Sequence, residues 1–251
     1  MVTKEDFFTP KNEVHDITED DYKDVASIVK TIESIACTSY HSIYVIDYNR
    51  HNFLYVSNNP LFLCGRSPEE ACKLGQGFYL KHVPESEHQF LITVNRVGFE
   101  FFDKIPQKDR MDYVISYEFH LKTKSNPILV NHKLKPLKLD KYGHVWLAVC
   151  VVSLSSHKEA GHILMQRLGT SQQWQYSLAE GRWLEMSPIQ LSETSKEILI
   201  LSAQGYTMDQ ISSKMGISIN TIKFHKKRIF ETLDVESITE ALTSAINSKL
   251  I

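Results

Sequence analysis

A chain of 251 residues, 42% of them hydrophobic and 23% charged, can bury a sizeable core and stay solvated. Only 10 Gly and 8 Pro argue against collagen-like and long low-complexity classes. A formal net charge of -2 excludes a protein that attracts polyanions by overall charge, so any such attraction must come from cations clustered locally.

The length suggests two domains. No run of 18 apolar residues is present, and the opening stretch "MVTKEDFFTPKNEVHD" lacks the apolar segment of a signal peptide. The expectation is a cytoplasmic protein with no membrane partner. Cys37, Cys64, Cys72 and Cys150 show no CxxC spacing, so neither a zinc site nor a disulfide framework is expected. Cys64, with no base nearby, reads as a small buried packing residue rather than a nucleophile.

In chain order, residues 18 to 36 place Tyr22, Val25, Val29, Ile32 and Ala36 at three- and four-residue steps behind a Thr18 cap, which predicts an amphipathic helix. "SIYVID" and "NFLYVS", joined by "YNRH", predict a hairpin. "SPEEACKLG" has a helix start, and a longer helix is expected from Pro84. Strands follow at 113 to 123, 127 to 139 and 144 to 154, with turns at "KSNP" and "KYG". Along the first, Tyr113, Ile115, Tyr117, Phe119 and Leu121 share one face, and Ser116, Glu118, His120 and Lys122 the other. The third is apolar almost throughout, as for a central strand covered on both faces. "WQYSLAEGRWLEM" predicts a second hairpin turning at Glu180-Gly181.

Residues 40 to 156, through "SIYVIDYNRHNFLYVSNN" and "LFLCGRSPEEACKLG", resemble a PAS sensor domain. The resemblance implies a five-stranded antiparallel sheet with helices over one face, a sensing or dimerising role, and a preceding helix of the kind that pairs such domains. The flavin-binding motif "G-x-N-C-R-F-L-Q" of some relatives has no counterpart, and no cofactor is expected.

The last sixty residues have short helical periods. Ile198 and Leu199 lie in one helix, with Gly205 placed to end it. Thr207 and Gln210 form a capping box ahead of "MDQISSKM", and Gly216 ends that helix. Ser218 caps "INTIKFHKKRIFETL", which turns Ile222, Ile229 and Leu233 inward and Lys223, Lys226 and Lys227 outward. A small residue, Ser212, and a flexible one, Gly216, suit the tight corner of a helix-turn-helix, with Ile211, Met215, Ile217 and Ile222 as its seam.

Residues 191 to 235 resemble the LuxR/GerE-type DNA-binding domain, most specifically through "S-x-x-T-I-K-x-H". The resemblance implies a four-helix domain that binds double-stranded DNA as a dimer. Lys223, Phe224 and Lys227 then face the groove. Ser218, Asn220, Thr221, His225, Lys226 and Arg228 complete the candidate interface. For His225, phosphate contact and support of the helix are both open. The last helix, 237 to 248, with Ile238, Ala241, Leu242 and Ala245, would dimerise. Two departures stand out: Glu193 and Ser195 replace the usual Pro and Glu, and "TLD" at Thr232 to Asp234 replaces "K-L-G". From 190 to 251, seven Lys and Arg are balanced by seven Asp and Glu, so affinity must rest on clustered charge and dimer geometry.

His132 lies on the apolar face of its strand. It is a candidate for ligand, haem or pH sensing, although a hydrogen-bonded core histidine suits its neighbours better. His88 invites the same haem suggestion with less support. No GxSxG, P-loop, HExxH or dinucleotide fingerprint is found, so no enzyme and no metal site are expected. A phosphorylated receiver domain is disfavoured, since the N-terminal half has neither its alternating β and α order nor its acidic pair and phosphorylatable Asp.

The expected fold class is α+β: an N-terminal segment with a flanking helix (1–39), a PAS-like sheet domain (40–156), a linker with a hairpin (157–189) and an all-α helix-turn-helix domain (190–251). The expected function is dimeric, sequence-specific transcription regulation with a domain that dimerises and senses a small ligand or signalling partner. The alternative is a signalling or scaffold protein whose helix-turn-helix is a protein-interaction surface.

Overall fold

The computed structural model describes residues 2, 3, 5–7, 10–124 and 126–251; Ser125, in the expected "KSNP" turn, lies outside them. The chain forms two compact units, the first from 1–153 with 159–186 and the second from 154–158 with 187–251. The fold class is α+β.

In the first unit, α1 (Glu19–Ala36) starts at a Thr18/Asp21 capping box. The hairpin of β1 (Ser42–Asp47) and β2 (Asn52–Val56) follows. Its turn is held by the buried Asp47 carboxylate, which accepts from Asn49 N, Arg50 N and the Tyr22 hydroxyl. Short helices α2 (Pro60–Leu63), α3 (Pro68–Leu74) and α4 (Gly77–His82) precede α5 (His88–Phe102). The expected start of α5 at Pro84 is replaced by a 3-10 turn, Glu85–Glu87. Glu87 is held there by His120, whose backbone N–H donates to its carboxylate at 2.7 Å and whose Nδ1 pairs with it at 2.6 Å.

Strands β3 (Tyr113–Leu121), β4 (Ile128–Leu139) and β5 (Val145–Leu154) run antiparallel. The order β2-β1-β5-β4-β3 is the five-stranded arrangement expected above, with β5 central. The sheet then continues to eight strands through β6 (Ile163–Arg167), β7 (Gln173–Ser177) and β8 (Arg182–Met186). Residues 157–189 thus hold the expected hairpin and one further strand, all three strands belonging to this sheet. Aromatic packing places the hairpin: Trp183 and Trp174 lie edge-on to Phe101 of α5 at 5.0 and 5.2 Å, and Trp174 stacks on Tyr113.

Helices α2 to α5 cover one sheet face over a core containing Phe53, Phe62, Phe78, Val97, Phe119 and Leu134. The other face is not left open. Helix α1 lays Val25, Ile32 and Ala36 on Ile43, Val45, Trp146 and Leu147. Every residue of β1 is therefore buried, and the apolar run of β5 has cover on both sides. The expected polar face of β3 is corrected at Glu118, which is buried beside β6 and bonded to Asn131 Nδ2 and His162 Nδ1.

His132 is a buried core histidine on β4. Its Nε2 bonds the Tyr44 hydroxyl, which also bonds the Tyr79 hydroxyl, and the Tyr117 ring lies 4.6 Å away. Burial pushes its imidazole down to about 3, and burial likewise takes His82 to about 4. The unfolded chain therefore binds protons that the folded chain does not once pH falls below about 6.5. Stability from these histidines is complete above that pH and is lost progressively toward the folded values. For His132 the loss reaches a few kcal/mol, on the order of one per unit of pKa displacement. Acid titrations of urea unfolding, followed by tryptophan fluorescence, should show a shallower loss between pH 6.5 and 4 in His132→Gln than in wild type. Parallel curves would refute the assignment.

Among the described residues no helix is long and apolar enough to cross a membrane. All four cysteines are free. Cys64 is half-buried rather than buried, in left-handed backbone at the end of α2, and desolvation pushes its thiol up to about 11, which opposes a nucleophilic role.

Candidate nucleic-acid interface

The second unit is built on four helices: α6 (Glu193–Ala203), α7 (Met208–Met215), α8 (Ile219–Leu233) and α9 (Ile238–Asn247). Each begins at a side-chain cap. Ser192, Thr207, Ser218 and Ser237 accept from the backbone N–H three residues on, as sequence spacing alone requires. Ile198, Leu199, Ile211, Ile222, Ile229 and Leu233 form the core, with Met215 and Ile217 packed at its margin.

The corner between α7 and α8 is fixed twice. Gly216 adopts φ 65°, a conformation that costs a side-chain-bearing residue about 1 kcal/mol or more. Ser212 then donates its hydroxyl to the Ile217 carbonyl at 2.6 Å, closing the turn across its small side chain. This orients α8 with Ile222 and Ile229 fully buried and the opposite side in solvent.

That outward side carries Asn220, Lys223, Phe224 and Lys227, a stripe at i, i+3, i+4 and i+7. Ser218 and Arg228 are exposed too, while Thr221, His225 and Lys226 are half-buried. Lys226 is therefore less outward than its sequence position suggested. Lys227 has a loose partner, Glu231, at 3.7 Å. Among the described residues, Lys223, Lys226 and Arg228 have no carboxylate partner within ion-pair distance. Arg228 instead sits over the Phe224 ring, 5.7 Å from its centre. The cationic run is thus largely unneutralised, although the domain's charges cancel.

His225 points back toward α6. Its Nδ1 lies 3.2 Å from the Ser195 hydroxyl, which also accepts from the Ser192 hydroxyl. The geometry shows a supporting contact for His225. In the sequence Ser195 stands out only as a departure from the family pattern, because a bond across 30 residues has no local signal. The Phe224–Arg228 pair stands at i,i+4, a spacing legible in the sequence.

Asp234 explains how "TLD" replaces "K-L-G". It ends α8 in left-handed backbone at φ 52°, the place of the missing glycine, while Val235 N donates to the Phe230 carbonyl. Asp234→Gly should stabilise the domain by about 1 kcal/mol. Circular dichroism should find a higher melting midpoint for the helical transition, and an unchanged or lower one would contradict the strain argument.

The residues named for dimerisation on α9 are mostly used internally. Ala241 and Ala245 are fully buried in the four-helix core, and Ile238 and Leu242 pack against it. Of its apolar side chains, α9 leaves Ile246 exposed.

Residues 189–245 match the family described as bacterial regulatory proteins, luxR family. Response regulator protein VraR from Staphylococcus aureus and from Staphylococcus epidermidis is 39% identical over 61 residues, 24% of this chain and 29% of the relative. The chain thus spans under a third of the length of these relatives. Among solved structures, the phage VqmA-DPO complex is similar with TM-score 0.29 and 14% identity, over 90% of this chain and 89% of that one. The Vibrio cholerae VqmA dimer has TM-score 0.31 and 15% identity over 88% of each chain.

Proposed function

We propose that this chain, whose C-terminal domain is a luxR-type helix-turn-helix domain, is a transcription regulator that binds duplex DNA sequence-specifically as a homodimer. The observation that carries the reading is the outward stripe of α8, where Lys223, with no carboxylate partner among the described residues, and Lys227, only loosely paired with Glu231, stand on either side of Phe224 on a helix rigidly set by its caps and corner. In this reading α8 enters the major groove. Lys223, Phe224 and Lys227 meet base edges, and Ser218, Asn220, Thr221, Lys226 and Arg228 meet backbone or neighbouring edges. His225 acts by holding α8 on α6.

Selection of bound fragments from a random duplex pool by the purified chain is the direct test. Recovery of an inverted repeat bound with steep salt dependence is expected, since phosphate contacts release counterions and a dimer reads two half-sites. No enrichment at any salt concentration would overturn the reading. The zero net charge of residues 190–251 favours one alternative, a protein-binding surface, and that would then be preferred.

The sheet domain is the proposed receiver of a signal. Two core cavities, of about 20 and 10 Å³, share Tyr48, Asn95, Tyr117 and Leu134 as walls. The second is also lined by Phe7 and by Gln76, whose Oε1 is buried without a hydrogen-bond partner among the described residues. Such space suits a water molecule. A metabolite would enter only if a wall residue moved, so sensing in this domain is read as selection of an opened form rather than filling of a ready pocket.

A further inference from the structure

Phe224 is the most exposed large apolar side chain of the helix-turn-helix domain, at 56%, and nothing in the fold of the free domain accounts for it. It stands in the outward stripe of α8 between Lys223 and Lys227. Its ring is not loose. Arg228 caps one side at 5.7 Å, and the His225 ring stands edge-on at 5.8 Å, itself tied to Ser195 of the neighbouring helix. A held aromatic surrounded by cations calls for a partner that is anionic around an apolar spot.

On the reading of α8 as the groove-entering helix, that description fits one feature of duplex DNA. In the major groove the base edges present donors, acceptors and a single apolar group, the C5-methyl of thymine. The lysines on either side suit guanine O6 and N7 or phosphate oxygens, neither of which a phenyl ring can pair with. We infer that Phe224 is a specificity-determining residue that reads a pyrimidine 5-methyl group in each half-site.

The inference rests on the DNA-binding reading and can fail separately from it. The full chain is first used to select its preferred duplex. Each thymine of that duplex is then replaced singly by deoxyuridine, which deletes the methyl and leaves every hydrogen-bonding group in place. One position per half-site is expected to lose about fourfold in affinity, the worth of one buried methyl group. Phe224→Ala should bind more weakly and be indifferent to the same replacement, while Phe224→Leu, still apolar, should retain part of the discrimination. Because the side chain is exposed, both variants should keep the wild-type melting midpoint, which is measured alongside. If the wild-type chain binds its selected sequence yet ignores deoxyuridine at every thymine, or if Phe224→Ala keeps the methyl dependence, the inference is wrong while the DNA-binding reading stands. If no duplex is selected at all, both fall together.

Discussion

Lys223→Ala and Lys227→Ala are each expected to weaken binding to the selected duplex, either by lowering its dependence on salt or by relaxing discrimination at one base pair. The expectation follows from placement. Both lie on the exposed stripe of α8, four residues apart and on either side of Phe224. A lysine that neutralises one phosphate contributes about 0.9 to the slope of log K against log salt, so each variant should lose roughly one unit. If a lysine reads a guanine edge instead, the slope should hold while discrimination at one base pair drops by about 1–3 kcal/mol. Fluorescence anisotropy across salt concentrations separates the two roles for each residue. Lys227 begins from an ion pair with Glu231, which DNA must loosen, so Glu231→Gln should strengthen binding modestly. Wild-type slope and wild-type specificity in both lysine variants would remove α8 as the interface.

Ile222→Ala is expected to unfold the C-terminal domain selectively. Ile222 is fully buried in α8 and belongs to the cluster with Ile198, Leu199, Ile211 and Ile229. Truncating such a residue costs about 2–5 kcal/mol. That is most of the stability expected of a domain of this size, where burial barely exceeds chain entropy. The chain reports this cleanly, because Trp146, Trp174 and Trp183 all lie in the sheet unit. Tryptophan fluorescence should keep its unfolding midpoint while far-ultraviolet circular dichroism loses helix at a lower temperature and DNA retention disappears. A shared downward shift of both signals would mean that the two cores do not melt separately.

The helix-turn-helix was largely legible because its instructions are local. Thr207 with Gln210, Gly216, and Ser218 with Thr221 act over three or four residues, and the structure places them at the caps and corner read from their spacing. The hairpin at Ser42–Val56 and the central position of β5 were legible for the same reason: turn chemistry and an unbroken apolar run are written in consecutive residues. Long-range pairings were not. Glu118 alternates as a surface residue should, and only the arrival of β6 beside β3 makes it buried. The hairpin at Gln173–Met186 was visible, but its membership of the sheet depends on Phe101, more than seventy residues earlier, meeting Trp174 and Trp183. The bond between His225 Nδ1 and the Ser195 hydroxyl spans thirty residues and has no local signal either.

The sequence by itself determined the helix caps and corner of the C-terminal domain, the turns of both hairpins and which face of α8 carries the cations, because capping, periodicity and turn preference act between near neighbours along the chain. Tertiary structure alone decided which of those faces stayed free. Helix α1 covers the outer sheet face, Ala241 and Ala245 of α9 are consumed by the four-helix core, and His132 is sealed beneath Tyr44. Periodicity marks a face as apolar, but what comes to cover it arrives from elsewhere in the chain.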